Sequence, residues 1–228
     1  MKKKSNLILM IPLILCGFIM SSCNTTNVLN SQLQNKVPPT SRAIIFSKKV
    51  VIQAPSGFCI DETVSKITSK PAFILFGNCA AIAQSNSTYQ SKVSAVLTAT
   101  VSKIKSNESS FESKHLDTYL RSESGRELLS MSGDSNNITV LDSFKMDSSY
   151  FVLVKNTGEK ASKGISDYSW RAYLQITGHL IVVSIIGFTN NPMTHDQSLK
   201  IIRHFVNDIR INNGLSPTLV PIDYIKKI

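Results

Sequence analysis

The chain has 228 residues, 25 lysines and arginines against 15 acidic residues, a formal net charge of +10 and a hydrophobic share of 42%. That length supports one substantial core. The basic residues are scattered, with Lys48-Lys49 and Lys226-Lys227 the only pairs beyond the N-terminal run. That scatter excludes an arginine-rich nucleic-acid groove and leaves a solvated basic surface, with weak attraction to anionic lipid headgroups next.

Lys2, Lys3 and Lys4 form a positive head, and Leu7 to Met20 is an apolar run interrupted by Pro12 and Gly17. At ~1.5 Å rise per residue the run falls short of a ~30 Å hydrocarbon core and matches a secretory signal instead. Met20-Ser21-Ser22-Cys23 then places two small residues directly before a cysteine. This resembles the lipobox of bacterial lipoproteins, with Met20 where that family usually has Leu. The resemblance implies cleavage before Cys23, a diacylglyceryl group on its thiol, and attachment to a membrane of the cell envelope. Two other readings stand beside it: a signal peptide cut near Ser22 that leaves Cys23 as a spare thiol, and an uncleaved N-terminal anchor. Removing residues 1–22 takes away three basic residues and no acidic one, which leaves 206 residues and a charge of +7.

With Cys16 gone in the signal and Cys23 taking the lipid, two cysteines remain, Cys59 and Cys79. Outside the cytoplasm such a pair reads as a disulfide, worth ~3 kcal/mol for a loop of about 20 residues, with two buried free thiols as the alternative. Asn24 to Thr40 is polar and closes with Pro38-Pro39, so residues 23–41 read as a lipidated cysteine and its tether, spanning ~20–25 Å. A single domain over 42–214 and a tail over 215–228 complete the expected organisation.

Within the domain, Ala43–Phe46 and Val50–Ile52 are short β-branched runs, and Ala54-Pro55-Ser56-Gly57 is a turn signature. Asp61–Val64 reads as a short helix capped by Asp61 and ended by Pro71. Ala72–Phe76 and Ala95–Val101 read as strands. Ala54-Pro55-Ser56-Gly57-Phe58-Cys59 with Gly77-Asn78-Cys79 resembles an arrangement found in uncharacterised bacterial envelope proteins, which implies no activity.

Ser109–Glu112 has the spacing of a capping box, opening a helix with Phe111, Leu116, Tyr119 and Leu120 on one side. It bends or breaks near Gly125 and resumes through Leu128-Leu129. Strands follow near Ile138–Met146, Tyr150–Lys155, Tyr168–Thr177 and Leu180–Phe188. The last two are joined at Gly178-His179 as a type II′ hairpin. Leu180–Ile186 is apolar on both faces and so wants cover on both sides of the sheet. Thr194–Gln197 starts a helix with the stripe Leu199, Ile202, Phe205, Val206 and Ile209, and Gly214 sits where a C′ glycine belongs.

This order predicts an α+β fold, a single mainly antiparallel sheet with helices on both faces. Over Ala43 to Asn213 the order resembles the PsbP-like fold, named for an extrinsic protein of photosystem II. That resemblance implies an α/β/α sandwich and a non-enzymatic accessory or assembly role.

No G-x-S-x-G, H-E-x-x-H, C-x-x-C or phosphate-binding loop occurs. His115 and Asp117 are two apart on a helix and point to different sides. His195 lies exposed in a first helical turn, His204 lies nine residues further on, and His179 reads as a solvated turn residue. Glu123 and Glu127 flank Arg126 as on any solvated helix face, and Asp142 and Asp147 straddle a strand and turn. Trp170, Tyr168 and Tyr173 read first as core and second as a pocket or partner surface. The N-x-S/T matches at Asn24, Asn86, Asn107 and Asn137 are best attributed to chance. The expectation is a lipid-anchored envelope protein facing the periplasm, on the outer or inner membrane. It works through protein contacts, with no catalytic residue, metal or cofactor and no nucleic acid. The alternative is a binding module for a small apolar or anionic ligand.

Overall fold

The structure, a computed structural model, describes residues 39–47, 49–84, 93–104, 113–158 and 164–216. Cys23, the apolar run, the tether up to residue 38, the Ser109–Glu112 box and the tail beyond Ser216 lie outside the described residues.

The elements run β1 (Arg42–Ile45), β2 (Val50–Gln53), β3 (Phe58–Ile60), β4 (Ala72–Asn78), α1 (Cys79–Ala83), β5 (Ala95–Lys103), α2 (Ser113–Arg121) and α3 (Glu123–Leu129). A 3-10 turn at Ser135–Asn137 leads to β6 (Ile138–Met146), β7 (Ser149–Asn156), β8 (Ile165–Ile176), β9 (His179–Phe188) and α4 (His195–Asn212). β1 and β2 pair as a separate two-stranded sheet. The other seven form one antiparallel sheet in the order β3-β4-β5-β9-β8-β7-β6. The fold is thus mixed α and β around an antiparallel sheet, as the element order implies.

Alternation along the strands divides the core in two. Phe151 and Leu153 of β7, Trp170, Ala172 and Leu174 of β8, and Ile181, Val183 and Ile185 of β9 pack in one cluster with Leu199, Ile202, Phe205, Val206 and Ile209 of α4. Their neighbours in sequence, Tyr150, Val152 and Val154 of β7 and Tyr173 of β8, pack with Leu120 of α2 and Leu129 of α3. Successive strand residues point to opposite faces.

α4 is the helix its sequence announces. Thr194 and Gln197 bond reciprocally in a capping box. At its end Leu215 N–H reaches Arg210 O and Gly214 N–H reaches Ile211 O, with Gly214 at φ 77, the bond pair of a Schellman ending.

Three local expectations are corrected. Asp61–Val64 makes a single turn instead of a helix: Asp61 caps it by accepting from Thr63 N–H and Ser65 N–H closes on Asp61 O, but Ser65 Oγ and the Lys66 backbone then bond to Leu75 and Phe73 of β4, which stops the helix there. The helix break falls at Ser122, whose side chain caps α3 by accepting from Gly125 N–H, while Gly125 itself is buried where α3 meets α2. The β8–β9 turn is Thr177-Gly178, at φ 46 and 73, so it has the positive pair of a type I′ turn and Ile176 pairs with His179. Thr177 Oγ1 donates to Lys49 O at 3.0 Å, which supports the unusual threonine conformation.

Each margin of the large sheet carries a local interruption. On β3, Ile60 N–H donates to Thr40 O at 2.7 Å, while the neighbouring Ala54 N–H donates to Ser41 O at 2.9 Å. On β6 the register shifts between Val140 and Asp142. There Val140 O accepts from Arg121 Nη1 and Ser143 N–H is taken by the Asp142 side chain.

Candidate functional site

Cys59 and Cys79 form a disulfide, Cα–Cα 4.8 Å, with both cysteines buried. Turn and cap chemistry bring them together. Phe58 N–H closes a turn on Pro55 O with Gly57 at φ 88, and Cys79 N–H reaches Gly57 O at 3.0 Å. Asn78 caps the short α1 by accepting from Ala80 N–H at 2.9 Å, a helix not expected from the sequence. An open cleft of about 1550 Å³ runs along this margin, touching Phe58, Leu75, Ile82, Val96 and Phe188.

One cross-strand row spans the sheet face opposite α4. By direct register it runs Leu75 (β4), Thr98 (β5), Ser184 (β9), Arg171 (β8), Val152 (β7) and Ser143 (β6). Thr98 Oγ1 and Ser184 Oγ lie 2.5 Å apart. Arg171 is half-buried, and its Nη2 donates to Leu129 O at the end of α3 at 2.7 Å. Burial pushes the Tyr173 phenol up, and the nearby Arg171 charge opposes the rise. Among the described residues no carboxylate pairs with this guanidinium. The alternation in β8 separates Trp170 from Arg171 clearly enough in sequence, but nothing there marks Arg171 as lacking a carboxylate among the described residues.

At the far end of the row is a second polar group, also missed in sequence. Asp117 Oδ1 accepts from the Tyr150 hydroxyl, from Ser143 Oγ at 2.8 Å and from Arg121 Nε at 3.1 Å. Burial alone raises the Asp117 carboxyl, but these three donors outweigh it and hold it below the usual range. Burial first, and the Asp117 acceptor second, push the Tyr150 phenol up to about 12. At neutral pH the pair is therefore fixed as carboxylate and phenol, which fastens α2 to β6 and β7 and leaves neither group ready to move a proton.

The histidines do not converge. His115, His195 and His204 are exposed, and among the described residues no group of three His, Cys, Asp or Glu could hold a metal. His204 lies one turn before Asp208, whose carboxyl burial raises against the opposing pull of His204. His179 is not a solvated turn residue: it is buried, stacked on Phe46 at 5.0 Å, with Nδ1 2.9 Å from Thr177 O. The turn lies one residue earlier than expected, which makes His179 the first residue of β9. Trp170 is core, its Nε1 donating to His195 O at 3.1 Å, while Tyr168 packs tilted on His195 at 4.8 Å. Tyr173 is buried as well. Glu123 and Glu127 are exposed, Asp142 sits at the β6 bulge, and Asp147 lies in the β6–β7 turn at φ 50.

No protein-family model matches the chain, and no curated protein does. Among solved structures, the chain is similar to the solution structure of cyanobacterial PsbP (CyanoP) from Synechocystis sp. PCC 6803, with a TM-score of 0.42 and 11% sequence identity over 75% of this chain and 89% of that one.

Proposed function

We propose that the protein is a lipid-anchored, non-enzymatic component of the bacterial cell envelope, facing the periplasm from the outer or inner membrane. It acts through contacts with another envelope protein as an accessory or assembly factor. The observation that carries the address is Met20-Ser21-Ser22-Cys23 behind a lysine-headed apolar run. The Cys59–Cys79 disulfide supports it, since such bonds persist in oxidising compartments. The proposal includes an α/β/α sandwich, supported by the division of alternate β7 residues between the cluster holding α4 and the cluster holding Leu120 and Leu129.

The test is the mass of the mature N-terminus in cells fed a labelled fatty acid. A diacylglyceryl-modified Cys23, lost in Cys23→Ala, is expected; an unmodified terminus would remove the anchor. Crosslinking of the anchored protein against Cys23→Ala then asks for a partner that depends on the address, and none above background would end the accessory reading.

The second reading is a binding module for a small apolar or anionic ligand. The specific observation in its favour is Arg171, half-buried and without a carboxylate among the described residues, on the sheet face whose outer strands border the open cleft at Leu75 and Val96.

A further inference from the structure

The second core cluster reaches across β6, β7 and β8 and stops, among the described residues, at Val182 of β9. Arg171 stands at that boundary, with the end of α3 on one side and Ser184 on the other. Beyond it the same sheet face carries Ser184 and Ile186 on β9, Val96 and Thr98 on β5 and Leu75 on β4, all partly open to solvent. A polar end and an apolar floor thus meet at one arginine.

A guanidinium has five N–H donors. Among the described residues Leu129 O takes one of Arg171's, which leaves the other donors and the full positive charge. The negative end of α3 offsets only part of that charge. A half-buried cation is costly without a counter-charge, and a planar two-oxygen head fits the guanidinium fork better than a point anion does. Strands lie ~4.8 Å apart and same-face residues along a strand ~6.7 Å apart, so Arg171 to Val96 is roughly 12 Å, about the length of a ten-carbon chain.

We propose that this face binds an aliphatic carboxylate, its head on Arg171 and its chain over Ile186, Val96 and Leu75. The proposal rests on the ligand-binding reading above and names the ligand class for it. Thr98 and Ser184 bond to each other, so the polar pair in the floor is satisfied without the ligand and the chain passes over it.

The experiment uses the full-length protein in lipid nanodiscs, with empty nanodiscs subtracted. It is titrated with carboxyl-13C decanoate, with decanol, and with decyltrimethylammonium. Saturable decanoate binding is expected, with at least tenfold weaker binding of the alcohol and the cation. R171Q keeps a donor for Leu129 O and removes the charge; it should weaken decanoate at least tenfold and leave decanol unchanged. Val96→Trp fills the floor without touching the arginine and should weaken both. Thermal unfolding of each variant identifies any loss that comes from misfolding. If decanol matches decanoate, or R171Q binds decanoate as the parent does, the carboxylate assignment is overturned while the ligand-binding reading stands. If none of the three binds saturably, that reading itself falls.

Discussion

The Tyr150 hydroxyl donates to Asp117 Oδ1, joining β7 to α2 across 33 positions of sequence. The two groups make opposite demands of pH. Asp117 is lowered in the fold, so its contribution is present above the unfolded value of 3.8 and is lost as pH falls through the lower folded value. Tyr150 is raised from 10.0 to about 12, so its contribution is present below pH 10.0 and is lost as pH rises from there through about 12. Urea midpoints from pH 2 to 12 check both limbs. Asp117→Asn should flatten the acid limb and Tyr150→Phe the alkaline one, each costing about 1–2 kcal/mol at pH 7. Unchanged slopes in both variants would remove the clasp.

Gly125 allows α2 and α3 to cross. A Cβ there would lie 1.8 Å from Tyr119 O and 2.6 Å from Leu120 Cα, both backbone atoms that cannot swing aside. Gly125→Ala should therefore destabilise by about 1–3 kcal/mol or more, despite the better helix propensity of alanine. The melting temperature should fall ~2–4 °C per kcal/mol for a domain of this size. A neutral or stabilising result would show that the two helices have room to part.

Reducing the Cys59–Cys79 bond should cost about 3 kcal/mol in the chain-entropy model for its separation of 20. Differential scanning calorimetry with and without reductant reads the loss, roughly 6–12 °C. A Cys59→Ala, Cys79→Ala double variant should melt near the reduced protein and ignore the reductant.

His179 ties the small β1–β2 sheet to the β8–β9 hairpin through Phe46. His179→Ala should speed amide exchange at Val50, Val51 and Ile52 and cost about 1–2 kcal/mol, where a solvated turn residue would cost nothing measurable. Equal exchange rates in the two proteins would mean that the stack is incidental.

Most of the strands and α4 were legible because a period of two and a capped period of 3.6 survive any tertiary context. The Cys59–Cys79 pair was legible from cysteine count. The turn at Thr177 was not, because a type I′ pair favours asparagine, aspartate or glycine at its first position, and the bond that supports a threonine there comes from Lys49, 128 positions away. The Asp61 segment misled for a related reason. Its cap-like aspartate satisfies a local turn as readily as a helix start. Arg171 and Asp117 look like ordinary surface charges in sequence. Only the register of six strands sets one beside the Thr98–Ser184 pair and brings the other within reach of Ser143 and Tyr150.

The interrupted margins of the large sheet bear on how the protein behaves in company. An exposed β-edge is a template on which another copy can add, and the risk grows with local concentration. Here residues before β1 occupy one border, and a bulge with two side-chain bonds interrupts the other. Copies crowded together should therefore stay discrete instead of zipping into ribbons. Association with a neighbour would have to use side chains on a face, which gives it a chemistry that can discriminate between partners.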